Sequence, residues 1–240
     1  AKAHRTMVGD LRALEHTLAK GYAGEGLLAI GRAHVMNVRG IVAYWEADYE
    51  KAREDLREAV REDPLLDVAW EVLGGTLGNF FMETADPVEK LRRWDEAIEW
   101  YDQAILNDRG YPRHWIQRGY LNFHAWEFSR VTGRDPLAAL AAAERDALEG
   151  SRLLPGQHTS SRELARIYHT RALYLKGLGE NPREDVLEAE RCIEECIRLR
   201  DADADNLYWR SVIRLEKAAL LEKAGDRAAA ESLYRATIAD

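Results

Sequence analysis

The stretch LGGTLGNFFME, residues 73–83, contains three closely spaced glycines: Gly74, Gly75 and Gly78. In a loop, such glycines let backbone N–H groups cradle a phosphate. In a helix, they let a neighbouring group approach the backbone closely. The chain has no G-x-x-x-x-G-K-[ST] motif, so a nucleotide loop would lack its lysine and its metal-binding hydroxyl. The phosphate-loop interpretation therefore fails on sequence alone.

A second candidate for chemistry is the segment in which Ser160 and Ser161 follow His158. A hydrolytic site needs a third group to orient the histidine, and none is evident. We expect instead that Thr159 or a neighbouring serine caps a helix, with Glu163 close to a capping-box position. The G-x-S-x-G, H-E-x-x-H and C-x-x-C motifs are also absent. The sequence thus predicts no catalytic residue, no cofactor and no enzyme.

Composition favours an all-α protein. Ala, Leu, Glu and Arg dominate, and the net charge of −8 comes without a basic stretch, so we expect neither nucleic-acid nor membrane binding. No apolar run approaches the ~20 residues that span a bilayer, and no signal peptide is visible. Cys192 and Cys196 suit core packing in a helix and, weakly, a reducing cytoplasm. Because the chain starts without Met, an excised fragment of a longer protein is one interpretation.

A repeated spacing organises the chain. An alanine is followed four residues later by a larger residue and three after that by a small one, which places all three on one helix face. The triplets are Ala52/Leu56/Ala59, Ala97/Tyr101/Ala104 and Ala230/Tyr234/Thr237, with less regular copies at Ala143/Ala147/Gly150 and Ala189/Ile193/Cys196. A second frame precedes three of these regions: Met36-x-x-Arg39-Gly40, Trp70-x-x-Leu73-Gly74 and Trp115-x-x-Arg118-Gly119.

These frames resemble the tetratricopeptide repeat (TPR) family, whose helix–turn–helix unit carries W-x2-L-G-x2-Y, then A-x3-F-x2-A, then P. The resemblance implies an all-α, right-handed α-solenoid of antiparallel helix pairs over residues 33–240, with residues 1–32 as an N-terminal helix, a cap or a truncated repeat. The units are 33–64, 67–109, 112–155, 165–201 and 211–240. Gly74 then falls in register with Gly40 and Gly119 as a close-packing glycine, so LGGTLGNFFME is predicted to be helix.

Insertions relative to the family unit contain Asp86-Pro87, Asp135-Pro136 and Asn181-Pro182. Asp or Asn caps a helix and Pro is favoured at its first position, so we expect lengthened helices rather than long loops. About eleven helices are predicted, near residues 5–20, 26–46, 49–62, 65–83, 87–107, 112–131, 136–152, 159–178, 182–200, 204–224 and 227–239.

In the resembled family the first helix of each unit lines a concave groove, which implies a partner-binding wall here. The candidate groove residues are His34, Asn37, Tyr44, Trp45, Glu71, Gly75, Gly78, Asn79, Arg113, Tyr120, His124 and His169. Gly75 and Gly78 are predicted to leave a gap in this wall that a partner side chain enters. Stripes of Trp and Tyr are more often core than binding site, and the three histidines come from different units, so we expect no metal.

The resemblance implies a non-catalytic scaffold that binds a peptide or protein segment in its groove. Chaperone-binding members use a carboxylate clamp of Lys, Asn and Arg. The matching positions here hold Asn37, Ile41, Val72, Ile116 and Tyr120, so that mode is not expected. Two alternatives stay open: a regulatory repeat segment of a larger bacterial enzyme such as a Ser/Thr kinase, and a small-ligand-binding helical domain. A homodimer is also allowed, because an open solenoid end can pair with a copy of itself.

Overall fold

The computed structural model describes residues 2–21, 29–129, 131–200 and 203–239, and the regular structure in these ranges is entirely helical. The described helices are α1 (Lys2–Gly21), α2 (Ala29–Trp45), α3 (Tyr49–Glu62), α4 (Asp67–Glu83), α5 (Pro87–Asn107), α6 (Pro112–Ser129), α7 (Pro136–Leu153), α8 (His158–Gly177), α9 (Arg183–Leu199), α10 (Ala204–Lys223) and α11 (Arg227–Ala239). The predicted all-helical fold is confirmed, and the described bounds agree with the expected ones to within about three residues. None of the described helices is both long and apolar enough to cross a membrane.

Two of the three predicted Asp/Asn-Pro caps form as expected. The carboxylates of Asp86 and Asp135 accept backbone N–H bonds of 2.7 and 2.9 Å in the first turns of α5 and α7. At the third, Asn181 accepts from the N–H of Arg183 at 3.2 Å, and the helix starts after Pro182 rather than at it. Because each cap satisfies an N–H that has no intrahelical partner, these insertions lengthen helices.

The predicted cap at Thr159 is wrong. Helix α8 begins one residue earlier, at His158, and Gln157 occupies the capping position without a side-chain hydrogen bond. Thr159 therefore lies inside the first turn. Ser160 is only 1% exposed, so that turn is anchored by burial against the rest of the fold rather than by a cap.

The chain divides into two compact units, each described by itself. Unit 1 comprises residues 1–121 and 130–134, and unit 2 comprises residues 122–129 and 135–240. The division falls within α6, so the first part of that helix belongs to unit 1 and the last part to unit 2.

In unit 1, helices α1 to α5 pack in chain order, and α2 also contacts α4. Two glycines allow the helices of a pair to approach. A Cβ on Gly40 would lie 2.5 Å from Cγ of Leu56, and a Cβ on Gly74 would lie 2.2 Å from Cζ of Tyr101. Real Cβ atoms do not tolerate such distances, so the prediction that Gly40 and Gly74 are close-packing glycines is confirmed.

Two tryptophans in unit 1 repeat the same contact. The indole Nε1 of Trp70 donates to the carbonyl of Pro64 at 2.8 Å, and Nε1 of Trp115 donates to the carbonyl of Arg109 at 3.1 Å. Each bond ties the start of a first helix to the turn before it. The repeat frame inferred from spacing therefore has a matching hydrogen-bond pattern in both copies.

In unit 2, helices α7 to α11 pack in chain order, and α8 also contacts α10. The core is built from the repeat triplets and their neighbours, including Leu140, Ala143, Ala147, Ile167, Ala189, Ile193, Cys196 and Ile213. Cys192 and Cys196 are 3% and 0% exposed and are free thiols, as the core prediction requires. Burial raises the pKa of Cys192 to about 11, so this thiol is neutral and unreactive near pH 7.

Candidate functional site

A groove of about 330 Å³ lies in unit 1 among α2, α4 and α6, the first helices of three successive pairs. We call it the glycine groove. It is lined by seven of the twelve predicted site residues: Tyr44, Trp45, Glu71, Gly75, Gly78, Asn79 and Tyr120. Three helices far apart in sequence therefore bring most of the predicted residues together.

All three glycines in LGGTLGNFFME line the groove, but their surroundings differ. A Cβ on Gly75 would meet only the hydroxyl and ring edge of Tyr44, at 3.8 and 3.9 Å. A Cβ on Gly78 would lie 3.2 Å from Cδ2 of Leu121, the flexible end of a side chain. Gly74, by contrast, faces the buried ring of Tyr101. Gly74 thus serves packing, Gly75 leaves space at the surface, and Gly78 is buried close to Leu121.

One wall of the groove is aromatic. The rings of Tyr44 and Trp45 lie 5.3 Å apart at 80°, and Tyr49 lies 6.0 Å from Tyr44. The amide nitrogen of Asn79 donates to the Tyr44 hydroxyl at 3.3 Å and fixes that ring over the floor. Burial, followed by the nearby Glu83 carboxylate, raises the pKa of Tyr49. Trp45 is 43% exposed, so the wall presents aromatic surface to solvent.

The opposite end of the groove is polar and already paired. The Glu71 carboxylate accepts from the Tyr111 hydroxyl at 2.8 Å and from Nη1 of Arg113 at 2.5 Å. Burial, followed by this hydrogen bond, raises the pKa of Tyr111 to about 12. Arg113, a predicted site residue, thus acts here as a partner of Glu71 at the groove end.

Two predicted residues of α2 lie outside the groove lining. His34 is half-buried, and Asn37 is 7% exposed. Both precede Tyr44 by about two turns or more, so they sit further towards the start of the helix. The structure therefore confines the candidate surface of α2 to its last turn.

The remaining two predicted residues belong to unit 2. His169 is 5% exposed, and its ring packs edge-on against Trp209 with centroids 5.8 Å apart. Burial lowers the pKa of His169, so its ring is neutral near pH 7. His124 is half-buried beside the ring of Phe123, at 5.4 Å. Packing accounts for both contacts, and His169 in particular is not presented to a partner.

The corresponding first helices of unit 2 are joined by an arginine that the site prediction omitted. The guanidinium carbon of Arg166 on α8 lies 4.8 Å from the ring centroid of Phe123 on α6 and 5.5 Å from that of Trp209 on α10. Its Nη1 also bonds to the buried Glu163 at 3.0 Å. Burial raises the pKa of Glu163, and the charge of Arg166 opposes that rise. The space between these aromatic rings is thus filled by a side chain of the protein itself.

Six further residues of the groove lining were not among the predicted site residues: Val72, Gly74, Met82, Tyr101, Gln117 and Leu121. Met82 comes four residues after Gly78, Gln117 comes four after Arg113, and Leu121 directly follows Tyr120. Extending the helical spacing along the lengthened α4 would have found Met82.

The groups considered for catalysis are held in structural contacts. Nε2 of His158 accepts a hydrogen bond from Nη1 of Arg200 at 2.7 Å, and Ser160 is buried. Within the described part of the chain, no three or more His, Cys, Asp and Glu side chains are grouped so that they could hold a metal ion. The groove is therefore the described cavity that brings together most of the residues predicted to bind a partner.

The sequence matches no protein-family model, and no curated protein matches it in sequence. Solved structures do match its fold. The crystal structure of MamA is 14% identical, with 86% of this chain and 90% of that chain covered at a TM-score of 0.59. TTC0263, a thermophilic TPR protein of Thermus thermophilus, is 13% identical, with 88% and 94% covered at a TM-score of 0.58. PilF of Pseudomonas aeruginosa is 16% identical, with 97% and 87% covered at a TM-score of 0.58.

The chain therefore has the fold of TPR proteins, an α-solenoid built from helix pairs. The resemblance inferred from the repeat frames is confirmed at the level of fold. Identities this low carry no function across, so the role of the glycine groove rests on its own geometry.

Proposed function

We propose that the protein is a non-catalytic scaffold that binds a peptide or protein segment in the glycine groove. The observation that carries this proposal is the open aromatic wall of Tyr44 and Trp45 standing over a floor of Gly75 and Gly78. Aromatic anchors in well-shaped depressions contribute most of the binding energy at protein interfaces. A groove between first helices of successive pairs also suits an extended or helical segment.

Two side chains of the groove, Tyr44 and Glu71, are held in place before a partner arrives. The Asn79 amide fixes Tyr44, and the bonds from Tyr111 and Arg113 fix Glu71. A preorganised wall loses less conformational entropy on binding, so more of the contact energy appears as affinity.

The test is selection of a displayed random-peptide library on the purified chain, followed by affinity measurement of the selected peptides. We expect Tyr120→Ala to weaken binding by about tenfold or more, because truncating an aromatic anchor costs on the order of 2 kcal/mol. Tyr208→Ala is the matched control, since Tyr208 is an exposed tyrosine of unit 2. Circular dichroism and melting would confirm that both variants are folded. A selection without binders, or equal losses in the two variants, would overturn the proposal.

A small-ligand-binding domain is the second candidate, favoured by the groove volume of about 330 Å³. Small-molecule sites begin near this size, at roughly 300 Å³. Thermal-shift screening with a fragment library would support this candidate if fragments stabilise the wild type and lose that effect in Tyr120→Ala. Self-association through a solenoid end remains a prediction, which sedimentation equilibrium would test.

A further inference from the structure

The charges of α4 differ between the two ends of the glycine groove. Glu71, Gly75 and Asn79 of α4 line the groove, and Glu83, one turn further on, lies close enough to Tyr49 that its charge, after burial, raises the pKa of that tyrosine. The charge of Glu71 is already compensated by Arg113. Glu83 is exposed in the last turn of α4 and forms no salt bridge within the described residues. That turn also lacks a basic residue and carries the negative end of the helix dipole. Glu83 therefore places a negative charge at the C-terminal end of α4, next to Met82 of the groove lining.

The groove lining suits a cation that has a long apolar stem. Within the described residues that line it, none is Lys, Arg or His. Tyr44, Trp45 and Tyr120 supply aromatic rings, whose faces attract cations. The Asn79 side chain is engaged by the hydroxyls of Tyr44 and Tyr49, which keeps both rings at this end of the groove. The bare surface of Gly75 and its neighbouring turn gives room for methylene groups.

Unit 2 shows the same chemistry within the chain. There Arg166, on the middle of three first helices, lies over aromatic rings from the helix on either side. Its charge is met by the carboxylate of Glu163. In repeat register Arg166 corresponds to Val68, two turns before Gly75, so the likeness is one of chemistry rather than of position. In unit 1 the middle helix, α4, carries glycines at the groove, and the helices on either side, α2 and α6, carry the aromatic residues.

We propose that the glycine groove receives an arginine side chain from a basic partner segment. The stem lies over Gly75 and Gly78, and the guanidinium lies at the Tyr44 end, towards the aromatic rings and Glu83. Arginine fits better than lysine because its planar head stacks on aromatic faces and is more weakly hydrated. This inference rests on the proposed function and names the chemistry of its partner.

The test uses two capped heptapeptides with alanine flanks, one with arginine and one with citrulline at the centre. Citrulline keeps the shape of arginine and removes its charge. Titration would be followed by the backbone amide NMR signals of Gly75, Gly78 and Asn79. We expect these signals to move with the arginine peptide, and we expect the citrulline peptide to bind about tenfold more weakly. Equal affinities, no binding of the arginine peptide, or shifts only elsewhere would overturn the inference.

Charge variants locate the cation. Glu83→Gln is expected to weaken the arginine peptide about threefold and to leave the citrulline peptide unchanged. The matched control is Glu99→Gln, because Glu99 is an exposed residue of α5, away from the last turn of α4, and its substitution changes the net charge equally. Equal effects of the two substitutions would show that net charge alone attracts the peptide, and the inference would fall.

The outcomes of the two proposals differ. If the displayed library yields peptides that lack basic residues yet depend on Tyr120, the scaffold function stands and the arginine inference fails. If the library yields no binder and the arginine peptide moves no groove signal, both fail. Enrichment of arginine that is lost in Glu83→Gln supports both.

Discussion

Each unit contains three first helices, but the space between the outer two is open in unit 1 and filled in unit 2. In unit 1 the space between α2 and α6 is left open by Gly75 and Gly78 on α4. In unit 2 the space between α6 and α10 is closed by Arg166, which stacks on Phe123 and Trp209. The fold therefore does not decide whether a groove exists. Side chains at different positions of the middle helix account for the difference: glycine in α4 and Arg166 in α8.

The largest effect on stability is expected from removing Arg166, the side chain that fills the space between α6 and α10. Arg166→Ala removes the partner of Glu163, which is 6% exposed, so we expect a loss of about 3 kcal/mol in unfolding free energy at pH 7. Urea denaturation would measure it. Arg162 also faces Glu163 at 3.8 Å, so part of the charge balance remains, whereas the nearby Asp205 carboxylate works against it.

The loss in Arg166→Ala should depend on pH. Burial raises the pKa of Glu163 in the folded state, so folding favours its protonated form. Such a group stabilises the fold in acid. This contribution is lost as the pH rises from the pKa of the group in the unfolded state to its higher pKa in the folded state. Without Arg166 the pKa of Glu163 in the folded state is raised further. The deficit at about pH 4.5 should therefore be smaller than at pH 7, and Glu163→Gln combined with Arg166→Ala should recover part of the stability. A deficit that is equal at both pH values would contradict the buried-charge explanation.

The second effect separates the packing glycine from the groove glycines. Gly74→Ala places a methyl group about where the Tyr101 ring stands, 2.2 Å from Cζ. Tyr101 is 2% exposed and has little room to move, so we expect a loss of about 2 kcal/mol. Gly9→Ala is the control, because a Cβ on Gly9 meets nothing within 4 Å. If both variants were stabilised, the close approach of α4 and α5 would not be limited by this glycine.

The third effect compares a buried histidine in each unit. Burial lowers the pKa of His114 in unit 1, against the charges of Asp67, Glu71 and Asp108, and it lowers the pKa of His169 in unit 2. Each ring is thus neutral in the folded state. Stability is complete above about pH 6.5 and is lost as pH falls through that value, by up to about 1.4 kcal/mol per pH unit for each ring.

Denaturation between about pH 5 and pH 7.5 would measure these slopes. His114→Gln and His169→Gln should each flatten the acid side of the curve, whatever their effect on stability at pH 7. At His169 the opposing charges are Glu216, which favours protonation, and Lys176, which disfavours it. A slope that survives in both variants would assign the acid sensitivity to other groups.

The repeat could be predicted because its spacing is local. Offsets of four and three place three residues on one face in any helix, so the triplet around Leu56 is buried where expected. Gly40 and Gly74 follow from the same frame. The caps at Asp86 and Asp135 could also be predicted, since a cap depends only on neighbouring residues.

Exposure along the wall could not be predicted with the same rule. His169 and Gly75 both hold positions that would face a groove, but His169 is covered by Trp209 from another helix. Whether a wall is open depends on side chains that reach it across two helices, here Arg166 and Trp209. A single helix face carries no information about such long-range packing. The sequence therefore predicted where the wall runs better than where it is open.

The smallest effect tests the open floor directly. Gly75→Ala should stabilise the chain by up to about 1 kcal/mol, because alanine is the better helix former and its methyl group would lie 3.8 Å from the Tyr44 hydroxyl without a clash. Thermal and urea denaturation would measure the gain, with Gly9→Ala as a control that gains helix propensity in open space. The same methyl group narrows the groove, so the arginine peptide should bind several-fold more weakly to Gly75→Ala and unchanged to Gly9→Ala. A variant that is more stable and binds less well would show that this glycine is kept for the partner and not for the fold. A loss of stability would instead show that the floor of unit 1 is packed, and the difference between the two units would disappear.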